Sequence, residues 1–88
     1  MKLLYFYNDS CGCCKKWKPV LDDLVNEYSV DIDKVNINED KAMKDEYGIT
    51  CIPQTLFIDD DGKEVGSILG NMKVEYAKKY FDKYLLNK

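Results

Sequence analysis

The junction between Tyr7 and Gly12 constrains this chain more than any other segment. Before it, Leu3 to Tyr7 is an unbroken apolar and aromatic run that reads as a buried strand. After it, Trp17, Val20, Leu21, Leu24, Val25 and Tyr28 recur at helical spacing, one face of an amphipathic helix from about Gly12 to Tyr28. Asn8-Asp9-Ser10 forms the loop and supplies capping side chains. Cys11-Gly12-Cys13-Cys14 stands where the strand gives way to the helix. Two thiols three positions apart on a first helical turn can close a disulfide within the chain and reopen it. A helix start also stabilises a thiolate, the form that attacks other disulfides.

The remaining pattern sets the architecture. Pro19 falls inside the first helix and is expected to bend it, because its ring opposes an earlier carbonyl and its donor is missing. Val30 to Ile37 alternates imperfectly through Val30, Ile32, Val35 and Ile37 and reads as a second strand. Glu39 to Tyr47 reads as a short helix with Ala42, Met43 and Tyr47 on one side and Gly48 ending it. Gln54–Ile58 and Glu64–Leu69 read as strands joined at Asp59-Asp60-Asp61-Gly62. Val74, Ala77, Phe81 and Leu85 mark a closing helix, with Tyr76, Tyr80 and Tyr84 at the core margin. The order β-α-β-α-β-β-α predicts an α/β fold, with a four-stranded mixed sheet covered by helices on both faces. At 88 residues it is expected to form a single domain over 1–88.

Composition removes several function classes. The net charge is −3, with 13 lysines dispersed among 16 acids, so no basic stripe suggests nucleic acid. Histidine is absent, which excludes every Cys–His mechanism. The N-terminal apolar run ends after five residues, short of the roughly seven of a signal core. No run reaches the ~18–20 residues of a membrane helix. A cytoplasmic location and no membrane partner are expected, a setting in which Cys-x-x-Cys is more often catalytic or metal-binding than structural. The Asp59–Asp61 cluster does not make a calcium loop, since Gly70 stands where the twelfth-position Glu would be required.

These residues resemble the thioredoxin family, within the thioredoxin/glutaredoxin superfamily. Members carry Cys-Gly-Pro-Cys-Lys at a helix start and a proline five residues past the second cysteine. Here those positions hold Cys11-Gly12-Cys13-Cys14-Lys15 and Pro19. A family Tyr-Gly-Ile ahead of an apolar–cis-proline–Thr segment is matched by Tyr47-Gly48-Ile49 and Ile52-Pro53-Gln54-Thr55. Gly62 and Gly70 match two later family glycines. The resemblance covers almost the whole chain but lacks the family's first strand and helix. It implies a minimal, glutaredoxin-sized thioredoxin fold.

The resemblance also implies roles. Cys11 is the expected nucleophile and Cys14 the resolving thiol, with Gly12 and Cys13 completing the motif. Cys13 replaces the family proline, which should alter the reduction potential. It is read either as a tolerated substitution or as a third redox thiol. Pro53 is expected to be cis and, with Ile52, to face the cysteines and offer backbone to an extended client. Cys51 is read as a neutral, partly exposed thiol, with an intermolecular disulfide as the alternative. Tyr5 stands where many members bury an aspartate that helps the second cysteine lose its proton. With an ordinary pKa of ~10, a tyrosine is a poor base. Lys34 matches the family's companion lysine and is expected to lack its acid. Tyr7 replaces a tryptophan beside the site. Lys15, Lys16 and Lys18 read as a solvated face that could also favour an acidic client.

The reading is a thiol–disulfide oxidoreductase that reduces protein disulfides through Cys11 and Cys14 without a cofactor or metal. Its partners are client disulfides and a thioredoxin reductase-like donor. Glutathione is less expected, because Gly70-Asn71-Met72 does not carry the glutaredoxin segment. A monomer is expected, with a Cys51-linked dimer as the alternative. The rival reading is a metal carrier using Cys11, Cys13 or Cys14, and Cys51.

Overall fold

A strand covered on both faces needs apolar side chains at consecutive positions, and β1 (Lys2–Tyr7) has them. Leu3 and Tyr5 enter one core layer; Leu4 and Phe6 enter the other. A computed structural model describes residues 1–86. Asn87 and Lys88, the last two positions of the expected 1–88 domain, lie outside the described residues. After β1 come α1 (Gly12–Tyr28), β2 (Asp31–Asn36), α2 (Lys41–Glu46), β3 (Gln54–Ile58), β4 (Glu64–Leu69) and α3 (Val74–Phe81). A π-helical turn, Asp82–Leu86, follows.

The sheet order is β2-β1-β3-β4. β2 runs parallel to β1, while β3 is antiparallel to both β1 and β4. The expected four-stranded mixed sheet with helices on both faces is therefore present. On one face Trp17, Leu21 and Leu24 of α1 and Ala77 and Phe81 of α3 pack on Leu3, Tyr5, Phe57 and Ile68. On the other, Met43, Tyr47 and Ile49 pack on Leu4, Phe6, Val35, Leu56 and Ile58. Trp17 also ties α1 to β3: its Nε1–H donates to Thr55 Oγ1 at 3.0 Å, deep in the core.

Local chemistry sets the boundaries. Asp40 caps α2 by accepting from the Met43 N–H at 3.1 Å. Gly48 ends it with φ +63°, where only glycine is unstrained. Helix α1 continues through Pro19, which is exposed, so water can reach the Lys15 carbonyl that loses its helical donor.

Some expected core positions lie outside. Ala42 is exposed, because α2 has only six residues and presents Met43 and its cap Tyr47 to the sheet. Val74, Tyr76 and Tyr80 are exposed, since α3 reaches the core through Ala77 and Phe81. Of the tyrosine stripe, Tyr84 packs inward, with its ring 4.9 Å from that of Phe57. Gly66 makes room for it: a Cβ there would overlap the Tyr84 ring. In the edge strand β2, Val35 and Asn36 are buried, while Asp31, Asp33 and Lys34 are exposed.

Candidate active site

The register of β1 against β3 pairs Phe6 with Gln54. β1 therefore ends where β3 begins, and the Cys11 and Pro53 loops emerge at the same end of the sheet. Asn8 shapes the first loop by accepting from the Ser10 N–H at 3.0 Å. The expected polar N-cap is absent from α1; Cys11 is the N-cap, with φ −85° and ψ 114°. Its Sγ accepts from the Cys14 backbone N–H at 3.1 Å. An orphan donor of the first turn is thus aimed at the sulfur, an interaction that a thiolate receives more strongly than a thiol.

The motif's sulfurs differ sharply in access. Cys11 is half-buried, Gly12 and Cys13 are exposed, and Cys14 is 3% exposed. All the cysteines are free thiols. Burial, then the hydrogen bond with Cys11, pushes the Cys14 thiol up to about 11, opposed in part by the Asn8 backbone. Cys14 thus holds its proton at neutral pH.

Tyr5 lies beneath this turn. Its hydroxyl donates to the Cys14 carbonyl at 3.2 Å, and its ring stacks on Tyr7 at 5.2 Å. Burial, reinforced by Cys14, raises its ionisation far above the ordinary tyrosine range. It is a neutral donor that anchors the helix start. Lys34, paired across the strands with Tyr5, does not lack an acid: Asp22 Oδ1 of α1 lies 3.4 Å from its Nζ. Lys18 also reaches Asp22, at 3.8 Å. The lysine thus finds its counter-charge on the helix instead of on β1. Between these groups opens a cleft of about 280 Å³, onto which Cys14 looks.

The Ile52–Pro53 peptide bond is cis. Pro53 is buried, and its carbonyl accepts from the Gly70 N–H at 2.7 Å, joining the loop to the end of β4. Ile52 is half-buried against the α2-side core, and Cys51 is exposed. Among the described residues, no three Cys, His, Asp or Glu side chains are arranged to hold a metal ion. The arrangement therefore does not support the metal-carrier reading through Cys11, Cys13 or Cys14, and Cys51. Among the described residues no helix is long and apolar enough to cross a membrane.

Sequence reasoning missed Asp22, Asp9 and Asn36. The Lys18–Asp22 spacing of four was the visible hint of the first. The others come together only in the fold, where Asn36 Nδ2 donates to Asp9 Oδ2 at 3.4 Å.

Comparison with known proteins agrees with this fold. The thioredoxin family pattern matches residues 1–83. The chain is 45% identical over 69 residues to a thioredoxin of Chlamydia caviae, covering 77% of this chain and 67% of that protein. It is 35% identical over 85 residues to thioredoxin 1 of Synechococcus elongatus, covering 94% and 78%. Its backbone is similar to thioredoxin 1 of Thermosipho africanus, with a TM-score of 0.85 and 22% identity over 98% and 96% of the two chains. A mutant thioredoxin of Halobacterium salinarum gives a TM-score of 0.83 at 27% identity, over 93% and 72%. On this sequence match and this fold, the chain belongs to the thioredoxin family and is a thiol–disulfide oxidoreductase.

Proposed function

We propose that the protein reduces protein disulfides through a Cys11/Cys14 dithiol–disulfide cycle, working as one domain. The observation that carries this reading is the Cys14 N–H aimed at Cys11 Sγ over 3.1 Å, with Cys11 accessible and Cys14 shielded one turn away. Cys11 thiolate attacks one sulfur of a client disulfide, and the other leaves as a thiolate that takes a proton from solvent. The resulting mixed disulfide leaves Cys14 beside it. Cys14, once deprotonated, attacks Cys11 Sγ. The Cys11–Cys14 bond forms, the bond to the client breaks, and the client sulfur departs with the electron pair. A thioredoxin reductase-like donor then returns the oxidised pair to two thiols.

Ile52 and Pro53 sit on the neighbouring loop, where an extended client segment can pair with the Ile52 backbone. Gly12 and Cys13 tune the couple between the two working thiols. Tyr5, Tyr7 and Lys34 shape the surroundings of Cys14. The reading takes the protein as a cytoplasmic monomer, with Cys51 as the route to a linked dimer.

Cys14→Ser, exposed to oxidised client protein, should accumulate a stable mixed disulfide at Cys11, and Cys11→Ser should accumulate none. A folded Cys14→Ser protein that forms no adduct would overturn the cycle.

A further inference from the structure

Resting on that cycle, we propose that Asp9 is the proton acceptor for Cys14 in the resolving step, acting through water in the cleft both residues line. Cys14 must lose its proton before it can attack, and its burial makes this costly. The group directly beneath it cannot take the proton. Tyr5 already gives its O–H to the Cys14 carbonyl and stays neutral. The route left is the cleft, whose volume of about 280 Å³ accommodates several waters at ~30 Å³ each.

The charged groups on that cleft come from three elements. Lys15 and Lys18 project from α1, Lys34 from β2 and Asp9 from the loop, over a wall of Tyr5 and Tyr7 from β1. A lysine ammonium group donates and does not accept, and it favours an anion formed beside it. Asp22 does not line the cleft and is engaged by Lys18 and Lys34. Asp9 is thus the carboxylate available there among the described residues. It is exposed and touches the buried Asn36. Asn36 is buried in β2, its Oδ1 accepts from the Asn38 N–H at 3.0 Å, and its Nδ2 donates to Asp9 Oδ2. One Asp9 oxygen meets this chain, and among the described residues no hydrogen bond engages the other.

The step balances. Water relays the Cys14 proton to the Asp9 carboxylate, and Cys14 thiolate displaces the client sulfur from Cys11. The departing client thiolate recovers that proton through the same water. Two protein thiols are oxidised as one client disulfide is reduced.

The test is a single turnover of reduced protein with excess disulfide peptide, quenched in acid and read by mass spectrometry. Adduct formation reports Cys11 and adduct decay reports Cys14. Asp9→Asn should leave formation intact and slow decay by about tenfold, below the usual general-base range because the carboxylate acts through water. Asp9→Glu should recover most of that rate. If Asp9 were only a nearby negative charge, Asp9→Asn would ease Cys14 ionisation and speed decay. Unchanged or faster decay in Asp9→Asn overturns the proposal while leaving the cycle standing. Failure of wild type to form any Cys11 adduct overturns the cycle itself.

Discussion

Thr55→Val removes one oxygen from the driest part of the molecule. Trp17 Nε1–H points at Thr55 Oγ1 from 3.0 Å, and both residues are 0% exposed, so no solvent can replace the lost acceptor. Stranding a buried donor costs about 1–3 kcal/mol. The added methyl returns about 0.8 kcal/mol of burial. The net loss is about 1–2 kcal/mol, and at about 4–8 °C per kcal/mol for a domain of this size Tm falls by about 5–15 °C. Urea unfolding followed by circular dichroism and by the fluorescence of the single tryptophan measures it. Trp17→Phe should cost more, because it also leaves a cavity. The double variant should cost about 1 kcal/mol less than the sum of the single ones, since the partners share one bond. A Thr55→Val protein as stable as wild type, or an additive cycle, would show that this bond does not hold α1 to β3.

Other consequences are equally concrete. Cys14 keeps its proton in the folded state up to about 11, against an ordinary 9.0, so the unfolded chain ionises first. The stability this provides is complete below about pH 9 and is lost as pH rises through 11. Thermal melts from pH 7 to 11 should therefore fall more steeply for wild type than for Cys14→Ser, and equal slopes would contradict the assignment. Gly66→Ala places a methyl against the Tyr84 ring and should drive that ring off Phe57. The cost is about 1–3 kcal/mol, relieved in part when Tyr84 is also Ala. An undiminished near-ultraviolet signal with unchanged Tm would refute it.

The parts of the fold that were legible in the sequence are those fixed by local repetition. The consecutive apolar residues of β1, the helical spacing from Trp17 to Tyr28 and the glycine after α2 each carry their own physical signal. Periodicity does not report how much of a face a partner covers. Ala42 and Val74 therefore looked internal and lie outside, and Tyr76 and Tyr80, expected at the core margin, are exposed. The two motif cysteines were visible from spacing alone, and the proline loop from its resemblance to the family. Contacts between distant elements were not visible. Nothing local to Lys34 points to Asp22, and nothing local to Asp9 points to Asn36. The use of a cysteine sulfur as the helix cap was hidden because capping preferences name oxygen-bearing side chains.

The central claim is that one client disulfide reduced leaves one bond between Cys11 and Cys14. Peptide mapping by mass spectrometry, after a single turnover with excess oxidised client protein, tests this directly. The account predicts one Cys11–Cys14 linkage per client disulfide opened, with Cys13 and Cys51 still alkylatable. Client reduction that instead leaves Cys13 or Cys51 in the new bond, or an unbonded Cys14, would contradict it.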